Sequence, residues 1–124
     1  MNVVDSSGWL EYFANGPNAY FFAPPIENLA DLVVPTLSLY EVFKRVLQQA
    51  GEDKARQAVA TMAQGKVIDL DTRLARNAAN LSIATRLPLA DSVILATAQA
   101  YHATLWSQDG HFKDVPSVRY IEKA

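Results

Sequence analysis

Four acidic side chains stand where elements of secondary structure are expected to begin or end. Asp5 closes the first short apolar run, and Asp109 follows another at 104–106. Glu41 lies in the first turns of one helical pattern, and Asp91 lies at the start of a second. Two carboxylates about 4 Å apart repel each other by about 4 kcal/mol at an effective dielectric constant of about 20. If the fold brings these acids together, a cation is needed to hold them, so the sequence predicts a metal site.

Each acid also has an ordinary structural role open to it. Asp5 would cap the helix that follows it. Glu41 stands three residues after Ser38, as in a capping box. Asp91 would complement a helix dipole, and Asp109 precedes a glycine, as in a common turn. Any one of these roles is commonplace, but four such coincidences at one edge of a sheet favour the metal site.

The hydrophobic pattern predicts the elements that carry these residues. Short apolar runs indicate about five buried strands, at 3–4, 32–34, 67–70, 104–106 and 118–121. Helical periodicity predicts helices at 6–14, 36–50, 52–64, 71–86 and 88–103. Strands that alternate with helices imply parallel crossovers. The chain is therefore predicted to be a single domain over 1–124, a three-layer α/β/α sandwich around a short parallel sheet.

In folds of this kind, ligands bind beyond the carboxyl ends of the strands. All four acids are expected there, because each lies at the end of a strand or at the start of a helix that borders that edge. The predicted helix at 71–86 does not fit this simple winding, since it would have to start and end near the same edge. The segment 16–31 matches no pattern.

Composition limits the metals that such a site would bind. The chain has no cysteine and only two histidines, His102 and His111, which are expected in packing or surface roles. Imidazole and thiolate, the ligands that zinc prefers, are therefore scarce. A site built only from oxygen ligands would instead select Mg²⁺, with Mn²⁺ as the other candidate.

The net charge of −2 gives the surface as a whole no attraction for polyanions. A nucleic acid would have to contact local basic residues, of which the candidates are Lys44, Arg45, Arg73, Arg76, Arg86 and Lys113. No apolar stretch approaches the roughly 18 residues that a membrane span requires, and no secretory leader is recognised. A cytoplasmic protein without a membrane partner is expected.

Two further groups of side chains are candidates for supporting roles. Ser6 and Ser107 are placed to hydrogen-bond a carboxylate or a water beside the metal, as groups around metal sites commonly do. The first quarter of the chain is rich in aromatic residues, which are expected to belong mainly to the core, while some of them form an exposed docking patch for a partner. These residues are Trp9, Phe13, Tyr20, Phe21 and Phe22.

The chain resembles the PIN-domain ribonucleases, and in particular the VapC toxins of type II toxin–antitoxin systems. The resemblance lies in Val-Val-Asp-Ser-Ser-Gly-Trp-Leu-Glu-Tyr-Phe at 3–13, in Leu-Ala-Asp-Ser-Val-Ile-Leu-Ala-Thr-Ala-Gln-Ala around Asp91, in Trp-Ser-Gln-Asp-Gly-His-Phe around Asp109, and in the helix-borne Glu41. Where the family often has threonine before the last acid, this chain has Ser107, which keeps the hydroxyl. The resemblance spans the whole chain.

This resemblance implies a metal-dependent endoribonuclease whose catalytic residues, Asp5, Glu41, Asp91 and Asp109, hold Mg²⁺ or Mn²⁺. It implies hydrolysis of an RNA phosphodiester bond by a metal-activated water. It also implies a cognate VapB-like antitoxin. The acidic pocket would accept a basic side chain of that partner, and the aromatic patch would receive an amphipathic helix. A homodimer is expected from the resemblance and from the apolar load of the helices at 36–50 and 71–86.

Two other classes of protein remain open from the residues themselves. The first is a binding module that uses the acidic pocket to hold a basic peptide without catalysis. The second is a phospho-acceptor receiver domain, for which Asp69 is the mid-chain candidate and Lys113 the late lysine. A receiver would leave Glu41 and Asp91 unexplained.

Overall fold

Five short strands lie side by side at the centre of the protein, in a computed structural model that describes all residues from 1 to 124. The strands are β1 (Asn2–Val4), β2 (Val33–Pro35), β3 (Lys66–Ile68), β4 (Thr104–Ser107) and β5 (Val118–Tyr120). β1 pairs in parallel with β4, β4 with β5, and β2 with β3. A parallel bridge between Asn2 and Leu32 joins β2 to β1, so the strands follow the order β3-β2-β1-β4-β5.

Six α-helices connect the strands. They are α1 (Ser6–Phe13), α2 (Ala19–Glu27), α3 (Thr36–Ala50), α4 (Glu52–Met62), α5 (Thr72–Thr85) and α6 (Leu89–Ala100). Local chemistry sets several of their ends. Asp71 caps α5 by accepting a hydrogen bond from the backbone N–H of Leu74 over 2.9 Å. α3 ends at Gly51, whose φ of 89° is rarely adopted by a residue with a side chain.

The sheet separates two hydrophobic cores, because successive residues of a strand face opposite sides. Val4 and Val34 are buried in the core that α1, α2, α3 and α4 cover. Their neighbours Val3 and Val33 face the other way, and they pack with Leu105 and with α6. The predicted α/β sandwich with a short parallel sheet is confirmed.

The strand expected at 67–70 is one place where the prediction was wrong. β3 begins at Lys66 and ends at Ile68, and its first two residues are exposed instead of buried. The reason is its position, since β3 is an edge strand that pairs only with β2. An apolar run by itself does not distinguish an edge strand from a central one.

The helix α2 was not predicted, because Pro24 and Pro25 lie inside it and proline disfavours the interior of a helix. Tertiary packing accounts for it. Phe22 and Pro25 are buried, and the Phe22 ring approaches α1 so closely that a Cβ on Gly8 would lie 2.6 Å from it. A glycine is required at this position for α1 and α2 to pack together.

The chain bends by 115° between α5 and α6, and the two helices pack together through Ala78, Leu81, Val93 and Ala96. α5 follows β3, and the first turn of α6 carries Asp91, which lies beside Asp109, so both helices begin near the carboxyl edge of the sheet. Arg86 takes a left-handed conformation, with φ of 62°, at the end of α5. No single helix is long and apolar enough to cross a membrane. α5 and α6 reach that length and hydropathy only when the two helices are counted together.

Candidate metal centre

The neighbouring strands β1 and β4 place the first and last of the predicted acids close together. Val4 lies opposite Trp106, and the next backbone N–H, that of Asp5, donates to the carbonyl oxygen of Trp106 over 3.1 Å. Ser107 Oγ donates to Asp5 Oδ2 over 2.7 Å. Oγ of Ser107 also accepts a hydrogen bond from the backbone N–H of Asp109 over 2.9 Å. Ser107 therefore links Asp5 and Asp109 at the carboxyl edge of the sheet.

Asp5 is both a helix cap and a buried acid. Its Oδ1 accepts hydrogen bonds from the Ser7 hydroxyl (2.7 Å) and from the backbone N–H of Gly8 (3.1 Å), which caps α1. Burial raises the pKa of Asp5 from 3.8 to about 7. The hydrogen bonds from Ser7, Ser107 and Gly8 lower this pKa, and the charge of Asp109 raises it further. The capping bonds use Oδ1 of Asp5, whereas Oδ2 accepts only the hydroxyl of Ser107.

Asp91, Asp109 and His111 form the tightest group of potential metal ligands. Their ligand atoms all lie within 4.8 Å of one another. Nδ1 of His111 is 2.9 Å from Oδ2 of Asp91 and 3.0 Å from Oδ1 of Asp109. The backbone N–H of His111 also donates to Oδ1 of Asp109 over 2.9 Å. Oδ2 of Asp91 is buried and receives no hydrogen bond, despite its closeness to the imidazole ring.

The electrostatic environment of Asp91 favours its neutral form. Burial is the main cause that raises its pKa from 3.8 to about 6, and the charges of Asp109 and Glu41 raise it further. His111 acts in the opposite direction, through its charge and a contact with the carboxylate. A buried oxygen without a donor, set among like charges, is stabilised by a cation. The donor set of Asp91 and Asp109 fits a divalent metal ion.

Glu41 completes the acidic edge from α3. Its Oε1 accepts a hydrogen bond from Ser6 Oγ over 2.6 Å. Because α3 begins at Thr36, Glu41 lies beyond the first turn and does not form a capping box with the buried Ser38. Glu41 is not in the tight ligand group, and it interacts with Asp91 through charge.

The structure thus places all four predicted acids in one electrostatic environment, but the acids are not equally close to one another. Asp91 and Asp109 lie within ligand distance of each other. Asp5 is connected to Asp109 through a shared serine hydroxyl. Both Ser6 and the serine between these acids donate to a carboxylate.

Sequence reasoning missed the part that His111 takes in this group. It was expected in a packing or surface role, and its side chain is indeed 58% exposed, yet it contacts two of the acids. The spacing Asp109-Gly110-His111 was a usable signal, because a tight turn after the acid brings side chains two residues apart to the same place. His102, the other histidine, is exposed.

The proposed aromatic docking patch is partly wrong. Trp9 and Phe22 are 1% and 0% exposed, so they belong to the core and cannot contact a partner. Phe13 and Phe21 are partly buried against the same core. Tyr20 is 70% exposed. The amphipathic pattern in this segment reflects the packing of α1 on α2 more than a binding surface.

A groove of about 640 Å³ lies beside the acids, between α1 and the α3–α4 pair. Its lining includes the apolar Leu10, Phe13 and Val46, the basic Arg45, Lys54 and Lys123, and Ser7, which donates a hydrogen bond to Asp5. Of the basic residues that the sequence suggested for nucleic-acid contact, Arg45 is the one that lines this groove. Glu11 and several neutral polar side chains line the groove as well, so its surface combines apolar, basic and acidic groups.

The geometry does not support a phospho-acceptor site. Asp69 is exposed just beyond the edge strand β3, whereas a receiver needs a buried acceptor. Nζ of Lys113 lies 3.2 Å from Oε1 of Glu122 on the surface. Neither residue joins the acidic group.

Comparison with known proteins identifies the class of fold. The sequence model of the PIN domain matches residues 3–118, which is most of the chain, so the protein belongs to the PIN domain family. No match was found among curated protein sequences.

Several solved structures share the fold of this chain. A toxin–antitoxin complex from Klebsiella pneumoniae matches with a TM-score of 0.79 and 20% identity, over 95% of each chain. Mycobacterium tuberculosis VapC20, a Sarcin-Ricin loop cleaving toxin, matches with a TM-score of 0.78 and 15% identity, over 96% of this chain and 98% of that one. FitAcB from Neisseria gonorrhoeae matches with a TM-score of 0.72 and 19% identity, over 98% and 97%. The fold is that of VapC toxins.

Proposed function

We propose that this protein is the toxin of a toxin–antitoxin pair, a metal-dependent endoribonuclease that hydrolyses RNA phosphodiester bonds. The observation that supports it most directly is the buried, donor-free Oδ2 of Asp91 beside Asp109, in a chain of the PIN domain family. An enzyme of this kind acts on cellular RNA, so its place of action is the cytoplasm. The alternative, a pocket that holds a basic peptide without catalysis, predicts no cleavage at all.

The acids and serines of the chain would have different roles in such a site. Asp5, Glu41, Asp91 and Asp109 would hold one or two Mg²⁺ or Mn²⁺ ions, directly or through water. When bound, such an ion supplies Lewis-acid stabilisation of the scissile phosphate and lowers the pKa of an attacking water. Ser107 and Ser6 hold the carboxylates of Asp5 and Glu41 in place.

The experiment that tests this function compares charge-removing variants with the wild type in an RNA cleavage assay. Asp5→Asn, Glu41→Gln, Asp91→Asn and Asp109→Asn should each lower the rate by on the order of a hundredfold or more, the scale of losing one charged contact to a transition state. Mg²⁺ or Mn²⁺ should restore wild-type activity after EDTA treatment. Asp53→Asn, which changes an exposed acid on α4, is the matched control and should cleave normally.

The same variants separate catalysis from folding. Removing one charge from a repelling group should leave the metal-free protein folded, and Asp91→Asn should raise its melting temperature at pH 8. Wild-type cleavage rates in all four variants, or a nuclease that resists chelation, would reject the metal-dependent mechanism.

The proposed partner is a cognate VapB-like antitoxin that binds in the groove between α1 and the α3–α4 pair. The structural neighbour from Klebsiella pneumoniae is described as a toxin–antitoxin complex, which supports this choice. An amphipathic helix would pack on the apolar lining, and an arginine or lysine of the partner would pair with the acids beyond Ser7. Affinity and inhibition would then come from different parts of the partner.

Two substitutions distinguish these parts. Phe13→Ala should weaken the complex in a pull-down, because Phe13 lines the groove. Replacing the partner's basic residue by alanine should leave the complex assembled while RNA cleavage returns. If that replacement changes neither binding nor inhibition, the pairing with the acids is wrong.

A homodimer is the remaining part of the proposal. α3 and the α5–α6 region carry apolar side chains that this chain does not bury, since Tyr40, Ile83 and Leu89 are 60%, 83% and 79% exposed. Apolar surface of this kind commonly marks an interface. Light scattering at micromolar concentration should give twice the chain mass of 13.6 kDa, and a single species of 13.6 kDa would refute the dimer.

A further inference from the structure

We propose that His111 is a direct ligand of the divalent ion, an imidazole donor in a site otherwise made of carboxylate oxygens. This inference rests on the proposed function only in requiring that a cation binds between Asp91 and Asp109. It goes further by giving the site a nitrogen ligand, and with it a preference for Mn²⁺ over Mg²⁺.

The first support is the spacing of the three side chains. Nδ1 of His111 lies 2.9 Å from an oxygen of Asp91 and 3.0 Å from an oxygen of Asp109. Adjacent ligands on an octahedral ion, each about 2.1 Å from the metal, are about 3.0 Å apart. The ring nitrogen therefore stands at ligand separation from both oxygens at once.

The second support is independent of the spacing. Asp91 is 9% exposed, and its Oδ2 receives no hydrogen bond although Nδ1 of His111 is its close neighbour. The two atoms are close, but they are not aligned as in a well-formed hydrogen bond. An ion shared between them would satisfy the buried oxygen and the lone pair of the ring nitrogen together.

The turn that carries His111 is held on both sides. Oδ1 of Asp109 accepts the backbone N–H of His111 over 2.9 Å, and the next residue, Phe112, is 0% exposed in the core. The imidazole is thus presented to the acids by a fixed backbone, which favours a ligand over a mobile surface side chain.

A nitrogen ligand changes which metals the site prefers. Imidazole binds first-row transition-metal ions, Mn²⁺ most weakly and the later ones more tightly, whereas Mg²⁺ prefers oxygen ligands and retains its waters. The four acids alone would not discriminate in this way. His111 is accordingly expected to set the ratio of Mn²⁺ to Mg²⁺ affinity.

The test begins with metal binding by the full-length protein, measured by calorimetric titration of Mn²⁺ and of Mg²⁺ without RNA. His111→Ala should weaken Mn²⁺ binding by at least about tenfold, the loss typical of removing even an indirect partner of a metal ligand, and should weaken Mg²⁺ binding less. His111→Asn places an oxygen where Nδ1 stood, so it should restore Mg²⁺ binding without the Mn²⁺ preference. His102→Asn is the control, since asparagine tolerates the φ of 50° found there, and it should match the wild type.

A direct readout comes from pulsed electron paramagnetic resonance of the Mn²⁺-loaded protein. Hyperfine coupling to an imidazole nitrogen should appear in the wild type and in His102→Asn and disappear in both His111 variants. An unchanged ratio of affinities in His111→Ala, or no nitrogen coupling in the wild type, would overturn the inference and leave His111 as a surface ion pair only.

RNA cleavage measured on the same samples separates this inference from the proposed function. Metal-dependent cleavage without nitrogen coupling would keep the function and reject the ligand. Nitrogen coupling without cleavage of any RNA would keep the ligand and reject the function. A wild type that binds neither metal would reject both.

Discussion

Asp5 and Asp91 lie at the same edge of the sheet, but their surroundings differ. Asp5 is buried between two strands and receives hydrogen bonds from two hydroxyls and one backbone N–H. Asp91 lies in the first turn of α6 and has a buried oxygen that receives none. One half of the site, around Asp5, is satisfied by hydrogen bonds within the fold, whereas the other half, around Asp91, keeps a buried oxygen without a donor. The proposed metal ion is therefore expected to matter more to the Asp91 half.

The electrostatics of the two halves agree with this division. Burial raises the pKa of both carboxyl groups, to about 7 for Asp5 and about 6 for Asp91. In Asp5 the opposing influence comes from hydrogen bonds. In Asp91 it comes from His111, a group that is itself exposed. The Asp5 half therefore relies on donors within the chain, and the Asp91 half is expected to respond more strongly to added metal.

The largest expected effect of this contrast is on stability as a function of pH. Both folded-state pKa values lie above the unfolded value of 3.8, so the stabilisation is fully present below pH 3.8 and is lost as the pH rises through about 6 and about 7. For Asp5, the difference at 1.36 kcal/mol per pKa unit amounts to about 4 kcal/mol. The metal-free free energy of unfolding, measured with urea, should fall between pH 5 and pH 8.

Variants of Asp5 and Asp91 show how much each acid contributes to the change in unfolding free energy with pH. Asp5→Asn should remove most of the fall between pH 5 and pH 8, and Asp91→Asn should remove a smaller part. Mg²⁺ or Mn²⁺ at pH 8 should raise the stability of the wild type, because a ligand bound only by the folded state stabilises it, and it should raise Asp91→Asn much less. Equal slopes in both variants and the wild type would contradict the comparison.

A smaller effect on stability is expected from removing the serine hydroxyls that donate to Asp5 and Glu41. Ser107→Ala removes a donor to the buried Asp5 and should cost about 1.5–3 kcal/mol at pH 8, as for hydrogen bonds to charged groups. Ser6→Ala removes a donor to the partly exposed Glu41 and should cost about 0.5–1 kcal/mol. Denaturation at pH 8 measures both, and Ser117→Ala, at an exposed position, is a control that should match the wild type. A Ser6 variant that is the less stable of the two would break the proposed ranking.

Much of the fold could be predicted from the sequence, because the deciding signals are local. The period of apolar residues indicated α3 with its observed bounds, 36–50, and alternating short strands and helices indicated a parallel sheet. The pattern did not predict α2, and it gave the wrong bounds and burial for β3. An edge strand and a proline-containing helix are decided by what packs against them, and the sequence pattern does not contain that information.

The candidate site divides in a similar way. Residue types and their positions at the ends of elements pointed to a group of acids and to the serines that support them. The aromatic residues of the first quarter were misleading, because an apolar side chain such as Trp9 looks the same in a sequence whether it is buried or exposed. Only the packing of α1 against α2 and the sheet showed that it belongs to the core.

By itself, the amino-acid sequence determined the chemistry that this protein has available: carboxylates in place of thiolates, placed where elements of a parallel α/β fold begin and end. The tertiary structure decided how these groups relate to one another. Strand register set Asp5 beside Ser107, and the turn after Asp109 brought His111 to the acids. Hydrogen bonds and pKa values depend on distance and burial, which arise only when segments far apart in the chain meet. For that reason the orphaned oxygen of Asp91, the feature that most calls for a cation, could not be foreseen from the residues alone.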